Sequence, residues 1–277
     1  MPNLRIISCS LRPWKITLRL SALLLALALS GCRATAQEAV RPYVFRMMTY
    51  NIHHGEGLDR KVDLERIAAL IKREKADIVA LQEVDKGVPR TDYRDLTAEL
   101  SALTGMTGVF SNNYNFQGGE YGNAMLTRFP VKRWTNLHYV MIRPGEQRGL
   151  LQLVLDAGGR ELVVMNTHID YRTDDEERML NVGEIHRVAA QYGDVPMLIS
   201  GDFNDLPGSR VHKKLAEVFD DVWETAGSGE GVTFPGDKHR IDYVWRARNA
   251  ALSAIKAWTV QSDASDHLPL VVEFSFR

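Results

Sequence analysis

Cysteine is scarce in this 277-residue chain, which contains only Cys9 and Cys32. Both lie near the N-terminus, so none remains in the body of the chain. This excludes a disulfide framework and a thiolate metal site there. The sequence also lacks internal repeats and low-complexity segments, and its length suits one α/β domain with a sizeable core better than two domains.

Positive charge is not in excess, because 34 basic residues face 35 acidic ones and the formal net charge is −1. Arg5, Arg12, Lys15 and Arg19 fall in an N-terminal segment that we expect to be removed, so the mature chain is more acidic still. The remaining lysines and arginines form no basic stripe. Such a balance gives no global attraction to a polyanion, and a small phosphorylated metabolite or a lipid head group fits it at least as well.

The chain also lacks an apolar run long enough to span a membrane. Residues 20–29 form a short apolar stretch behind the basic N-terminal residues, which is typical of a secretory signal. The sequence Leu-Ser-Gly-Cys at 29–32 resembles a bacterial lipobox, in which Cys32 is lipidated and becomes the new N-terminus. We therefore expect residues 1–31 to be a lipoprotein signal peptide. An ordinary signal peptide cleaved near Ala34 or Ala36 is the alternative.

Arg33, rather than an aspartate, follows Cys32, which resembles the outer-membrane pattern of Gram-negative lipoproteins. Several acyl chains would anchor the protein stably where one chain would not. Residues 32–42 are polar and suit a tether, and residues 43–277 form the domain. We predict a lipid-anchored monomer in the bacterial cell envelope, on the periplasmic face of the outer membrane.

Apolar runs with β-branched residues recur along the domain, and helical periodicity lies between several of them. Strands are predicted at 44–52, 78–81, 124–126, 150–155, 162–166, 196–200, 241–245, 255–260 and 270–274. Helices are predicted at 62–72, 95–103 and 174–191. Some strands run consecutively and others alternate with helices, which favours two packed mixed sheets with helices on the outer faces. Loops at 86–95, 112–121, 140–147 and 226–239 are expected to shape the pocket.

Six short polar clusters are joined to these apolar runs: MTYNIHHG, VALQEVD, VVMNTHID, LISGDFND, RIDYVW and ASDHLPL. Carboxylates and imidazoles beside a buried core are costly unless they converge on a common site. Together they could bind a hard cation and split a phosphate ester. The residues are Asn51, Glu83, His168, Asp202, Asn204, Asp242, Asp266 and His267.

In this order the clusters resemble the endonuclease/exonuclease/phosphatase superfamily. The pattern is an Asn after the first strand, a Gln-Glu pair after the second, then Asn-x-His, Gly-Asp-x-Asn, a strand-borne Asp and a terminal Asp-His, from about residue 43 to 276. The resemblance implies a four-layer α/β sandwich and a metal-dependent phosphoesterase, more narrowly a phosphodiesterase, using in-line attack by activated water. The implied cofactor is Mg²⁺, with Mn²⁺ as the alternative.

The resemblance also implies roles for individual residues. Glu83 is the principal metal ligand with Asn51 as its neighbour, and Asp266 binds metal or fixes the site geometry. His267 is the general base, oriented by Asp242. A structural alternative is a core histidine beside a turn-forming aspartate.

Asp202 and Asn204 match the family pair that orients the attacking water, although in some mechanisms the aspartate is the base instead. His168 would donate a hydrogen bond to a phosphoryl oxygen as charge accumulates there. A simple Asp-Asn turn is the structural alternative for the pair.

Substrate contacts are implied for Asn123, Arg148 and Asp170. A loop-bracing ion pair is the alternative for Arg148, and a structural role is the alternative for Asp170. Some nuclease branches place an acidic residue where this chain has His53. We expect His53 to face the substrate phosphate or to bind a softer ion, and His54 to be exposed or structural.

Several partners remain open. The phosphate ester could be a nucleic acid, a phospholipid head group such as that of sphingomyelin, or an inositol or sugar phosphate. The membrane would be contacted through the lipid anchor. A different class is a lipoprotein that binds a phosphorylated ligand without turnover, although such a protein has no need for a His–Asp pair.

Overall fold

The computed structural model describes residues 43–248 and 252–276. The predicted signal peptide at 1–31, the tether at 32–42 and the lipidation site Cys32 lie outside the described residues and stay predictions. Within the described part, no helix is both long and apolar enough to cross a bilayer.

Two mixed sheets of six strands each form the centre of the described structure. The first sheet has the strand order β11-β12-β1-β2-β4-β3, and the second has the order β5-β6-β7-β8-β10-β9. The first contains β1 (Val44–Asn51), β2 (Ile78–Lys86), β3 (Thr107–Phe116), β4 (Gly119–Thr127), β11 (Leu252–Thr259) and β12 (Leu270–Phe276). The second contains β5 (Val131–His138), β6 (Gly149–Asp156), β7 (Glu161–His168), β8 (Met197–Asp202), β9 (Phe219–Asp221) and β10 (Asp242–Ala247).

Five α-helices accompany the sheets in the described residues: α1 (Leu64–Glu74), α2 (Leu96–Thr104), α3 (Glu176–Ala190), α4 (Arg210–Leu215) and α5 (Val222–Ala226). The three predicted helices are confirmed to within two residues at each end. Asp63 caps α1 by accepting the backbone N–H groups of Glu65 and Arg66, which satisfies donors that a helix start leaves unpaired. Capping therefore fixes where the amphipathic segment begins.

Apolar side chains form three layers of core, as a four-layer sandwich requires. One layer, which includes Phe45 and Val164, lies between the sheets. A second packs α1 and α2 on the first sheet, and the third packs α3 on the second sheet. The predicted fold class, a four-layer α/β sandwich of two mixed sheets flanked by helices, is confirmed.

Strands β3, β5 and β9 are absent from the sequence prediction, and the predicted loop at 112–121 is largely the β3–β4 hairpin. All three missed strands lie at sheet edges. An edge strand carries fewer buried side chains, and most residues of β5 are exposed or half-buried. Its apolar signal is therefore weak, while its pairing with β6 is clear in the structure.

A polar seam joins the two sheets beneath the ends of their central strands. The Asn166 amide donates to the carbonyls of Leu81 and Ala124 at 2.8 and 2.9 Å, and accepts from Gln82 Nε2 at 2.7 Å. Asn166 and Gln82 are fully buried. Since buried amides stabilise only when their partners are all in place, this network fixes the position of one sheet relative to the other.

The topology explains why functional residues follow some strands and precede others. Each sheet has one central parallel pair, β1 with β2 and β7 with β8, whose strands end in the same direction. The neighbours β12 and β10 are antiparallel to these strands, so they begin where the parallel strands end. Polar residues that follow a parallel strand, or that precede an antiparallel strand, therefore lie at the same end of the sheets.

Candidate active site

Asn51 contacts several of the polar side chains at this end of the sheets. Its Nδ2 donates to Glu83 Oε1 at 2.9 Å and to Asp202 Oδ2 at 3.1 Å, and lies 3.5 Å from His267 Nε2. Its Oδ1 accepts the backbone N–H of His53 at 3.1 Å. These partners fix the orientation of the amide, with nitrogen toward the carboxylates and oxygen toward the backbone. Glu83 and His267, distant in sequence, thus share one amide nitrogen.

Asp202 sits between two other polar residues on neighbouring strands. In the strand register it lies opposite His168 of β7 and opposite Asp242 of β10. His168 Nε2 is 3.5 Å from Asp202 Oδ2, and His267 Nε2 is 3.7 Å from the same oxygen. Like charges directly opposite each other destabilise a sheet. Pairing Asp202 with Asp242 is therefore a cost that stability alone does not explain.

His267 is oriented by Asp242, whose Oδ2 lies 2.9 Å from His267 Nδ1. The bond leaves Nε2 directed toward Asn51 and Asp202. Burial lowers the pKa of His267, but the charge and hydrogen bond of Asp242, helped by Asp202 and Asp266, outweigh burial and raise the pKa to about 10. His267 and Asp242 therefore form an imidazolium–carboxylate pair at neutral pH.

Asp202 titrates closest to neutrality among these groups. Burial and then the charge of Asp242 raise its pKa to about 7, against the opposing effects of the His267 charge and of hydrogen bonds from Asn204 and Asn51. A carboxylate tuned in this way can exchange a proton near physiological pH.

His168 is 5 % exposed and behaves in the opposite way to His267. Burial, followed by the charges of Arg148 and His267, holds the pKa of His168 well below its usual range. It is therefore neutral near pH 7 and can donate one hydrogen bond without adding charge.

Glu83 protrudes from an irregular point of β2. The pairing of β2 with β4 shifts register between Leu81 and Val84, and Glu83 has a φ of +57°. His53 and His54, in the 3₁₀ turn after β1, also have positive φ values. Each such backbone costs about 1–3 kcal/mol and concentrates at functional sites. Ligand atoms of His53, His54 and Glu83 lie within 4.8 Å of one another.

The donor chemistry of the site fits a divalent cation. Besides the group around Glu83, ligand atoms of Asp202, Asp242 and His267 also lie within 4.8 Å of one another. The buried Asp242 Oδ1 and His54 Nδ1 atoms have no hydrogen-bond partner among the described residues. Buried acceptors without partners cost free energy that a bound ion would recover.

A cleft of about 900 Å³ opens over these groups. Four arginines line it, and each is paired with a carboxylate. The pairs are Arg90–Asp85 at 2.7 Å, Arg148–Glu146 at 3.0 Å, Arg172–Asp170 at 2.7 Å and Arg178–Asp205 at 2.9 Å. The wall offers phosphate-binding guanidinium groups, but the carboxylates offset their charge.

The comparison with known proteins decides the family. The model of the Endonuclease/Exonuclease/phosphatase family matches residues 48–267. The chain belongs to this family.

Members of the endonuclease/exonuclease/phosphatase family are hydrolases of phosphate esters, and the family depends on divalent metal. This chain is therefore a phosphoesterase-type hydrolase. It is 27% identical over 255 residues to the protein YbhP of Escherichia coli (strain K12), covering 85% of this chain and 98% of YbhP. It is 24% identical over 224 residues to the 5'-tyrosyl-DNA phosphodiesterase of Caenorhabditis elegans, covering 78% of this chain and 58% of that protein.

A solved endonuclease/exonuclease/phosphatase structure from Beutenbergia cavernae has the same fold. It superimposes with a TM-score of 0.71 at 24% identity, covering 84% of this chain and 72% of that one. At this identity the likeness concerns the fold alone, so the site has to be judged on its own residues.

Of the residues predicted for the family site, six line the cleft: Glu83, Arg148, His168, Asp202, Asn204 and His267. Asn51 and Asp242 hold these residues from behind. The Asn204 backbone N–H donates to Asp202 Oδ1 at 2.9 Å, and its side chain donates to the Ile169 carbonyl at 3.2 Å. Asn204 therefore braces Asp202, and its contact with water or phosphate stays a prediction.

Asn123 and Asp170 do not line the cleft, and Asp266 retains only one of its two predicted roles. Asn123 does not line the cleft, and its amide donates to the Gly149 carbonyl at 3.2 Å. Asp170 pairs with Arg172 and is absent from the cleft wall, so it braces an arginine instead of binding substrate directly. Asp266 lies outside the ligand groups found among the described residues, but it accepts from Ser265 Oγ at 3.2 Å and its charge helps to raise the pKa of His267, which agrees with the alternative that it fixes the site geometry.

Two alternatives were open for each of His53 and His54, and the geometry favours one of them in each case. His53 does not line the cleft but lies beside Glu83, which leaves binding of an ion as the prediction that the geometry favours. His54 is only 7 % exposed. Asn51, predicted as a neighbour of the metal, turns its amide nitrogen toward Glu83. It therefore positions this carboxylate and offers no oxygen to an ion bound there.

Sequence reasoning missed several residues of the cleft wall. Tyr121, Phe234 and His239 lie in segments that were predicted to shape the pocket, but none of the three was predicted individually. Arg172 and Arg178 carried no signal, because arginines before and within a surface helix are common. Only the pairing with buried carboxylates in the folded protein distinguishes them.

Proposed function

We propose that this protein is a metal-dependent phosphodiesterase that acts outside the cytoplasm through in-line attack by an activated water. The observation that supports the proposal is the meeting of Asn51, Asp202 and His267 at one edge, where a single amide nitrogen contacts the carboxylate and the imidazole. A protein that only binds a phosphorylated ligand has no need to place Asp202 opposite Asp242, because opposed carboxylates destabilise a sheet.

Asp202 is the better candidate for the general base. Its pKa of about 7 lets it accept a proton near neutral pH, whereas the pKa of about 10 keeps His267 protonated. A general base works best when its pKa is close to the operating pH. His267, held by Asp242, then supplies positive charge and a proton at Nε2 instead of removing one from water.

The remaining polar groups bind and orient the ester. His168, neutral and buried, donates a hydrogen bond to a phosphoryl oxygen. Arg148 lines the cleft, and its planar guanidinium suits bidentate binding of phosphate. Asn51 holds Glu83 and Asp202 in fixed positions.

Glu83 would hold the divalent ion, which when bound offsets negative charge on the phosphate or on the leaving-group oxygen. Mg²⁺ is the ion we propose first, with Mn²⁺ as the alternative. Asp202 and Asp242 would meet less mutual repulsion with a cation nearby.

The cleft favours a small phosphodiester or a lipid head group over a long polyanion. Its arginines are paired with carboxylates, so it does not form the uncompensated basic patch that nucleic acid binding uses. The 5'-tyrosyl-DNA phosphodiesterase among the relatives supports a diester as substrate. Anchoring through Cys32 would place the enzyme at the envelope, next to phospholipid head groups.

Hydrolysis is tested with the full chain purified in detergent. Bis-p-nitrophenyl phosphate, DNA, RNA, sphingomyelin and inositol phosphates are assayed with Mg²⁺ and with Mn²⁺. We expect release of product from a diester, lost on chelation with EDTA and restored by the ion. If calorimetry detects binding of a phosphorylated ligand while none of these esters is cleaved, the protein is a binding module and the proposal fails.

Anchoring is tested separately by substituting the predicted lipidation site. Cys32→Ser should abolish labelling by radioactive palmitate and release the protein from the membrane fraction. Cys9→Ser, in the predicted signal itself, is the matched control and should change neither. Equal labelling of the two variants would contradict the lipoprotein assignment without bearing on the chemistry.

A further inference from the structure

The ligand atoms nearest Glu83 are imidazole nitrogens. One atom from each of His53, His54 and Glu83 lies within 4.8 Å of the other two. Ligands of one ion, bound at about 2.0–2.2 Å each, lie about 3–4 Å apart. Small side-chain rotations would therefore bring all three onto a single ion.

Beside Glu83, fewer oxygen ligands are available to an ion than the resemblance implies. The Asn51 amide turns its nitrogen to Glu83, and its oxygen already accepts the backbone N–H of His53. By contrast, His54 Nδ1 is buried without a hydrogen-bond partner among the described residues, while its Nε2 lies 3.8 Å from Glu56. A buried ring nitrogen without a partner costs free energy that a bound ligand would recover.

The backbone and the surrounding charges agree with a cation site. The turn that carries the two histidines is closed by Gly55 N–H to Ile52 O at 2.7 Å and by Glu56 N–H to His53 O at 2.8 Å. The two rings lie 4.4 Å apart between centroids. Glu56 and Glu83 bring negative charge, and the nearby Arg90 is neutralised by a two-point bond to Asp85.

We propose that His53, His54 and Glu83 form a binding site for a transition-metal ion of the Mn²⁺, Co²⁺ or Zn²⁺ class. Two imidazoles and one carboxylate, with positions left open, are a donor set typical of these ions. Mg²⁺ instead demands oxygen ligands and retains its waters. The inference rests on the proposed function in that Glu83 is shared, and it deepens that proposal: Mn²⁺ or a related ion with nitrogen ligands takes the place at Glu83 that the resemblance gives to Mg²⁺.

The test measures ligation directly and does not depend on turnover. The full chain is loaded with Mn²⁺, and pulsed EPR records whether ¹⁴N nuclei couple to the ion. Calorimetry measures the affinities for Mn²⁺, Co²⁺ and Mg²⁺. We expect ¹⁴N coupling in the wild type, and binding of Mn²⁺ and Co²⁺ at least about tenfold tighter than binding of Mg²⁺.

Variants identify which nitrogens bind. His53→Gln and His54→Gln should each weaken Mn²⁺ binding by at least about tenfold and reduce the ¹⁴N coupling, with circular dichroism confirming that they fold. His138→Gln is the matched control, because His138 is exposed on β5 and bonds the Asn112 carbonyl. It should bind Mn²⁺ as the wild type does.

Absence of ¹⁴N coupling in Mn²⁺-loaded wild type would overturn the site without recourse to any variant. Unchanged affinity and coupling in both histidine variants would do the same. In either case Mg²⁺-supported hydrolysis would leave the proposed function standing. Conversely, nitrogen ligation in a protein that cleaves none of the esters tested would support this site and reject the phosphodiesterase.

Discussion

Among the described residues, two buried histidines are hydrogen-bonded to an aspartate of the second sheet, and only one of these pairs faces the cleft. His267 and Asp242 are 2.9 Å apart, and His212 and Asp221 are 3.0 Å apart. Both histidines are about equally buried, at 5 % and 6 % exposure. Residue types, bond lengths and burial are thus nearly identical in the two pairs.

Their surroundings differ in charge. Asp221 also lies 2.9 Å from Arg240, and the His212 ring packs 4.9 Å from the Trp245 ring. Asp242 has no such arginine partner among the described residues, and it lies opposite a second carboxylate, Asp202, at the floor of the cleft. The second pair is therefore a neutralised structural network, whereas the first keeps uncompensated charge where a substrate can reach it. A histidine–aspartate bond alone does not identify a catalytic pair.

The largest contrast should appear in turnover. His267→Gln should lower kcat by about 10²- to 10⁴-fold, because the positive charge and the proton at Nε2 are lost. His212→Gln should leave kcat of the folded enzyme within about twofold of wild type. The measurement is the hydrolysis of bis-p-nitrophenyl phosphate, with circular dichroism as the folding control. A comparable loss in both variants would erase the distinction between the pairs.

Stability should respond in the reverse order. Asp221→Ala leaves Arg240 buried without a partner, and breaking a buried pair in this way costs about 3–5 kcal/mol in the free energy of unfolding. Asp242→Asn weakens the buried pair with His267, but it keeps an oxygen acceptor for His267 and removes a carboxylate that opposes Asp202, so we expect a smaller loss. Urea denaturation of the two variants measures the difference. Greater destabilisation by Asp242→Asn would show that the cleft pair is the structural one.

The pH profile sharpens the comparison further. Activity requires ionised Asp202 and protonated His267, so kcat/KM should rise as pH increases through about 7 and fall as pH increases through about 10. In His267→Gln the alkaline fall should disappear. The acidic limb should also move to higher pH, because the His267 charge lowers the pKa of Asp202. His212→Gln should keep both limbs, and a shift there would contradict the assignment.

The smallest effect is expected at the cleft wall. Arg148→Lys keeps the positive charge but removes the planar fork, so KM should rise by up to about tenfold with little change in kcat. Steady-state kinetics on the preferred diester measures it. Because Glu146 faces this guanidinium, Glu146→Gln should change KM in the opposite direction. A change confined to kcat would place Arg148 in the chemical step.

The sequence was sufficient to predict the sandwich and the convergence of the site, for a physical reason. Each functional residue ends or precedes an apolar strand, and topology sends these strand ends to one edge. Edge strands such as β5 were missed because their faces are exposed. Orientation was not predictable either, since the direction of the Asn51 amide depends on partners 32 and 151 residues away.

The same limit explains why some predicted contacts are absent from the structure. Asp170 follows His168 closely and looks like a site residue in the sequence, yet its charge is used by Arg172. For His54 the sequence left exposure and a structural role open, and only the fold shows that the turn buries it. Sequence patterns predict which strand end carries a residue, but only packing determines which partner its side chain meets.

The bond from Asn51 to Asp202 crosses from one sheet to the other. Neither half of the sandwich therefore holds a complete set of reacting groups, and catalysis requires the halves to be aligned to within a fraction of an ångström. An over-large side chain placed in the apolar layer between them would spread the halves slightly. Such an enzyme would lose its rate while its circular dichroism spectrum still resembled that of the intact protein.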